Sequence, residues 1–321
     1  MVSVADAPDR RDEAVEYGNP PHLNGLPQRE ITQLGGRIET LHLSGVSFAY
    51  PDGTRVFEKI DLSVAEGDIV GIVGPSGCGK STLLALIAGL LESENGTIQR
   101  GLADGSHERH PLAMVFQTDT LLPWLTVREN VKLYSRFSTH GLPNSSMLRR
   151  MSKRLKLVRG NAETEFDRRI DSLLHLVGLA DKAANNYPYQ LSGGMRRRAA
   201  FVSAVASQPQ ILLLDEPFSA VDEPSRLAIH QDIYRIIRMS KITTLLVTHD
   251  LAEAITLADR IIIMGKSPAG IVDQHDIEFG MERDMLELRA GQAYLQIYGK
   301  LWFRLSEEIR SANPATGWVA S

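Results

Sequence analysis

Gly74-Pro75-Ser76-Gly77-Cys78-Gly79-Lys80-Ser81 sets three glycines in a G-x-x-x-x-G-K-[ST] spacing, with a lysine and a hydroxyl at its end and Thr82 following. Glycines let the backbone turn tightly enough for its N–H groups to surround an anion, and a helix starting there adds its positive end. Lys80 supplies a cation for β- and γ-phosphate oxygens, and Ser81 a hydroxyl for Mg²⁺. The pattern points to a nucleoside triphosphate. A glycine-rich turn with no ligand would not need the Lys-Ser pair. The metal needs a carboxylate as well, and the run Ile211-Leu212-Leu213-Leu214 ends on Asp215-Glu216. Asp215 is the candidate magnesium residue, and Glu216 is placed to polarise a water for in-line attack on the γ-phosphate. Cys78 lies inside the loop, where a helix start is expected to favour its thiolate and bound nucleotide to cover it.

These groups need a frame. The run Asp68-Ile69-Val70-Gly71-Ile72-Val73 reads as a strand leading into the loop, and residues 82–90 read as a helix leading out. Further β-rich runs fall at 113–116, 211–214, 243–247 and 260–264, with helical stretches between most of them. An α/β domain with a mainly parallel central sheet follows. Short apolar runs from Arg37 to Val64, broken by Ser44-Gly45 and Pro51-Asp52-Gly53, predict an antiparallel β subdomain in front of it. Charged, helix-patterned sequence at about 118–200 predicts an inserted helical subdomain. Domain organisation is therefore expected as a flexible tail at 1–36, a core at 37–280 and a C-terminal helical extension at 281–321. In that extension Ile297, Tyr298, Leu301, Trp302, Leu305 and Ile309 recur at helical spacing, expected to pack on the chain's own core.

The 321 residues are 43% hydrophobic and 23% charged, with a net charge of −4, which gives no electrostatic case for nucleic acid as a partner. One cysteine excludes an internal disulfide framework and suits a reducing compartment. No uninterrupted apolar segment of membrane-spanning length occurs, so a membrane role is expected only through partners. Residues 149–159 carry six basic side chains and no acid. They read either as a solvated face or as a contact for a partner or anionic headgroups.

Leu191-Ser192-Gly193-Gly194-Met195 closely resembles the LSGGQ signature of ATP-binding cassette (ABC) ATPases, with Met195 in place of Gln. The resemblance spans about residues 37–280 and extends in order to Tyr50 as adenine-stacking aromatic, Gln117 as the Q-loop glutamine, Ser219-Ala220-Val221-Asp222 as the D-loop and His249 as the switch histidine. Without these companions Tyr50 would read as a half-buried strand residue, and His249 as a structural one. The resemblance implies a P-loop NTPase core, ATP and Mg²⁺ as cofactors, and Glu216, His249 and Gln117 as the catalytic set. Nucleotide contacts fall to Tyr50, residues 74–82, Ser192, Gly193, Gly194 and Asp222, and the metal to Ser81, Gln117 and Asp215. It also implies a homodimer in which each nucleotide lies between one phosphate loop and the other subunit's signature.

A DNA-repair ATPase would show a long coiled-coil insertion, and a translation-associated protein two cassettes in one chain; neither is visible. A transporter motor remains. The spellings around Glu216-Pro217-Phe218 and Leu122-Pro123-Trp124, with the LSGGM variant, resemble nitrate, sulfonate and taurine importer ATPases. That resemblance implies two transmembrane permease subunits, an indirect periplasmic or extracellular substrate-binding protein, and a peripheral position on the cytoplasmic face of the cell membrane. The alternatives are a non-transport ABC ATPase of DNA repair or translation, and the ATPase of an ABC exporter. Arg197 departs from the family, which usually has Gln there, and this bears on the partner surface.

Overall fold

The computed structural model describes residues 33–34, 37–100, 112–118, 120–139, 159–180, 182–218 and 223–312. Ten strands and eight helices lie in them. Strands β1 (Gln33–Leu34), β2 (Arg37–Ala49), β3 (Arg55–Ala65) and β5 (Asn95–Arg100) form an antiparallel sheet in which β2 pairs with all three others. The second sheet has six strands in the order β10 (Ile271–Asp276), β9 (Arg260–Met264), β4 (Ile69–Val73), β8 (Thr243–Val247), β7 (Ile211–Asp215) and β6 (Leu112–Val115). Only β10 runs antiparallel to its neighbour.

Burial on both faces explains why the central strands are unbroken apolar runs rather than alternating ones. In β7, Leu212 and Leu214 join the core on the helical side, whereas Ile211 and Leu213 face the core shared with the antiparallel sheet. β4, β8 and β9 divide in the same way: Ile69, Leu246 and Ile261 point to one core, Val70, Leu245 and Ile262 to the other. Helix α1 (Lys80–Ala88) fills the space between the sheets with Leu83, Leu84, Leu86 and Ile87, and ends where Gly89 turns left-handed at φ 73°. This C-cap conformation suits glycine.

The helical side holds α2 (Val127–Thr139), α3 (Arg159–Leu176), two short 3-10 turns, and α4 (Gly193–Ala206), all lying between β6 and β7 in the chain. Helices α5 (Glu223–Ser240) and α6 (Leu251–Leu257) follow β7 and β8, and α7 (Met285–Ala290) and α8 (Gln292–Ala312) close the described chain. The stripe on α8 divides: Leu301 and Leu305 are buried, while Trp302 and Ile309 stay exposed at its edge. No helix among the described residues is long and apolar enough to cross a membrane. Of the basic run at 149–159, residues 149–158 lie outside the described residues, as does most of the stretch 1–36.

Candidate nucleotide site

β4, β6, β7 and β8 are neighbours or near neighbours in one sheet and run in one direction, so their carboxyl ends deliver the phosphate loop, Gln117, Asp215-Glu216 and His249 to a single edge. A crevice outside the carboxyl ends of parallel strands is where α/β sheets bind ligands. Here it is a cavity of about 660 Å³ lined by Tyr50, Thr54, Val56, Ser76, Gly77, Gly79, Lys80, Ser81, Thr82, Glu216, His249 and Ser267.

The loop's glycines are conformationally required. Gly79, N-cap of α1, sits at φ 99°, and a Cβ there would fall 2.5 Å from Val56 Cγ1. Gly77 is also left-handed, with open space where its side chain would be, which leaves its backbone open to the cavity. Lys80 is buried, and its ammonium donates to Gly74 O and Pro75 O, both at 2.9 Å. Two of its three protons thus hold the loop's turn, and the ammonium also donates to Cys78 Sγ at 3.9 Å.

Ser81 Oγ donates to Asp215 Oδ1 at 2.9 Å. Burial pushes the Asp215 carboxyl up, and the Ser81 bond opposes that rise. A hydroxyl beside a carboxylate is a hard oxygen set, and no group of three or more acidic, His or Cys side chains that could cage a metal occurs among the described residues. Mg²⁺ fits such a donor set, since it is held through few protein oxygens together with substrate phosphates and water.

Glu216 follows directly, with a left-handed backbone at φ 44°, an uncommon conformation for a residue with a side chain. Its Oε2 accepts from Gln117 Nε2 at 3.0 Å and lies 3.3 Å from His249 Nδ1. The three proposed catalytic side chains therefore meet at one carboxylate oxygen. Gln117 engages Glu216 rather than the Ser81–Asp215 pair. Tyr50 forms one wall, its hydroxyl bonded to Thr82 Oγ1 at 2.9 Å and its ring edge-on to Phe48.

Two expectations change. Cys78 is only 2% exposed and packs in the core between the sheets; burial pushes its thiol up, outweighing the nearby Lys80 charge, so it is not a thiolate at neutral pH. The C-terminal stripe does more than pack on the core. Trp302, Leu305 and Ile309 form one wall of a second cavity, about 490 Å³, whose other wall is residues 74–78, His249, Lys266 and Ser267. The stripe was legible, but which of its edges would reach the loop was not.

Ser192 caps α4 by accepting from Met195 N at 3.3 Å, with Gly193 and Gly194 in the first turn. None of the three lines either cavity. Asp222 lies outside the described residues. Three arginines follow the signature and all turn to backbone carbonyls: Arg196 to Leu191 O, Arg197 to Phe116 O and Gln117 O, Arg198 to Val177 O. Arg197 therefore points into the protein instead of onto a partner surface.

A larger cavity, about 710 Å³, lies at the opposite ends of the strands, between Gly67, Arg238, Asp259 and Arg283. Its ion pairs hold structure: Arg283 donates to Thr256 O and Ala258 O, and Asp259 accepts from both Arg238 and Arg283.

The ABC transporter family profile matches residues 57–219, which include the phosphate loop, the signature and the Asp215-Glu216 strand. This chain belongs to the ABC transporter ATPase family. The ABC ATPase is 39% identical over 250 residues to the aliphatic sulfonates import ATP-binding protein SsuB 1 of Pseudomonas aeruginosa, covering 76% of this chain and 89% of that protein. It is 34% identical over 280 residues to the nitrate import ATP-binding protein NrtC of Synechocystis, covering 85% of this chain and 38% of that protein. Among solved structures it resembles a dimeric bacterial ABC transporter cassette, with a TM-score of 0.58 and 28% identity over 75% of this chain and 100% of that one. A post-hydrolysis dimer of that cassette with bound ADP and Pi matches with the same TM-score at 27% identity, again over 75% of this chain and 100% of that one. The ABC ATPase therefore has an α/β cassette fold and binds and hydrolyses ATP.

Proposed function

We propose that this ABC ATPase is the energising subunit of a solute importer of the sulfonate, nitrate or taurine kind, and that two copies close on two MgATP. The observation that carries the catalytic part is the meeting of Gln117 and His249 at Glu216 Oε2, beside the phosphate-loop cavity. Glu216 polarises the attacking water, His249 and Gln117 hold that carboxylate in place, and Lys80 neutralises β/γ oxygens. Ser81 and Asp215, with Gln117 as a third candidate, would hold Mg²⁺, which would supply charge neutralisation at those oxygens. Tyr50 offers its ring to adenine.

The dimeric part is supported by where the signature is not. Ser192, Gly193 and Gly194 form a helix start suited to phosphate, yet line neither cavity of their own chain. A second copy bringing its signature, and Asp222, to this phosphate loop completes the site. The relatives' import names and the chain's lack of a membrane-spanning helix among its described residues support partnership with two permease subunits at the cytoplasmic face of the membrane, with a substrate-binding protein acting on their far side.

The test is uptake. Cells lacking the chain should fail to accumulate labelled sulfonate, taurine or nitrate, and the wild-type chain, but not Glu216→Gln, should restore it. Uptake unaffected by the deletion for all three would overturn the importer reading.

A further inference from the structure

One side chain of the signature helix reaches the segment that serves the carboxylate site of the same chain. Arg197 lies on the second turn of α4, past the Ser192 cap, and is 9% exposed. Its guanidinium Nη1 donates to Phe116 O at 3.2 Å, and its Nη2 to Gln117 O. Both carbonyls lie just beyond β6, where pairing with β7 has ended at Val115, so β7 does not satisfy them. A planar fork with parallel donors matches two consecutive carbonyls in a way a point charge does not. Gln117 in turn donates to Glu216 Oε2. The resulting path runs Ser192, α4, Arg197, Gln117, Glu216. The helix is a stiff link, because Ala199 and the whole stretch 201–206 are buried in the core.

We propose that Arg197 is a positioning residue coupling the two nucleotide sites of the dimer, by tying the signature that touches one ATP to the carboxylate that works on the other. This rests on the dimer reading above. If Ser192 of one subunit engages the nucleotide on its partner, the same subunit's α4 fixes the Gln117 backbone and hence the Glu216 side chain at its own phosphate loop. Occupation of one site then favours the competent geometry at the second. Coupling of this sort is a free energy shared between sites and is read as cooperativity.

The experiment uses the purified full-length chain and Arg197→Met, Arg197→Gln and Arg197→Lys. ATP-analogue affinity is measured on dilute monomer, and kcat, half-saturation and Hill coefficient are measured on ATP turnover. In Arg197→Met, monomer affinity should stay within about twofold, kcat should fall on the order of ten- to a hundredfold, and the Hill coefficient should drop from above 1 to about 1. Lys, a donor without the fork, should recover part of both. Should the Met variant also lose monomer binding, Gln, whose amide reaches one carbonyl, carries the measurement. Wild-type turnover with a Hill coefficient of 1 overturns the coupling. So does a variant whose kcat falls while its Hill coefficient is unchanged, since Arg197 then only supports its own loop. Failure of ATP to dimerise the Glu216→Gln chain would instead remove the dimer reading itself.

Discussion

The phosphate loop and the signature are both glycine-bearing helix starts, yet one lines two cavities of the chain and the other lines neither. At the phosphate loop, groups from separate strands already pair: Ser81 with Asp215, and Gln117 and His249 with Glu216. At the signature, Ser192 satisfies its own helix through Met195 N, and the three arginines behind it are spent on internal carbonyls. Equal local electrostatics thus have unequal surroundings. What differs is topology: parallel strands deliver their carboxyl ends to one edge, and α4 starts elsewhere. On the proposed dimer reading, a lone subunit holds nucleotide and a second copy's signature completes the enclosure.

The sharpest way to break this comparison is at Glu216. Glu216→Gln preserves shape and the Gln117 neighbourhood while removing the base, so turnover should fall by about 10²–10⁴-fold with MgATP binding kept. Size-exclusion chromatography with ATP should show the variant as a dimer. A monomeric variant turning over near the wild-type rate would remove Glu216 from the chemistry. Lys80→Ala should lose nucleotide affinity as well.

Next comes the signature. Ser192→Arg should abolish turnover while leaving ATP bound to the same chain, because the block lies at closure. Mixing a Ser192→Arg chain with a Lys80→Ala chain should rebuild one intact composite site per heterodimer and restore measurable turnover. No recovery in a mixture proven to contain heterodimers would mean the signature serves its own chain, contrary to its place outside both cavities.

The two regions were also unequally legible. The phosphate-loop edge could be read because its strands are apolar on both faces and its glycines sit at a fixed spacing. Strands β5 and β10 were missed: both are edge strands with polar residues such as Asn95, Gln99 and Gln274, which are exposed, and Asp273, which is half-buried, and carry no apolar run. The role of Arg197 was hidden because the sequence gives its departure from pattern but not the phase of α4 relative to β6. Trp302 was legible as one position of a stripe, whereas its nearness to the phosphate loop depends on how α8 docks. The pair His230 and Glu253 had no signal, coming from α5 and α6, and meets only through packing.

That pair sharpens the comparison from beneath, since Thr248 Oγ1, next to His249, donates to Glu253 Oε2 at 2.6 Å. Burial pushes the Glu253 carboxyl up to about 8, with Asp250 adding to the rise and Thr248, Arg226 and Arg289 opposing it. His230, 3.7 Å away, is driven down to about 3 by burial, with Arg289 and Arg226 assisting and Asp250 opposing. At neutral pH both are uncharged. Unfolded, Glu253 ionises near 4.5, so between there and about 8 folding takes up a proton and stability contributed here falls as pH rises. Glu253→Gln, neutral throughout, should flatten the decline in Tm measured from about pH 6 to about pH 9. An identical decline in both proteins would mean the carboxyl is ionised in the fold.

The smallest effect is expected at Cys78, inside the phosphate loop but facing away from the nucleotide cavity. Its thiol is buried in the core between the sheets and kept protonated at neutral pH by that burial, with Lys80 Nζ 3.9 Å from Sγ. Reaction requires the thiolate, so a maleimide should label the folded chain slowly at about pH 7 and quickly in denaturant. Since labelling waits on opening of the loop and α1, MgATP should slow it only to the extent that it stabilises the folded state. Cys78→Ala removes one small buried group from the core between the sheets, so turnover should stay within about twofold and stability should fall by about 1 kcal/mol. Fast labelling of native protein that MgATP blocks completely would place the thiol in the nucleotide cavity and redraw the wall between the loop and the core.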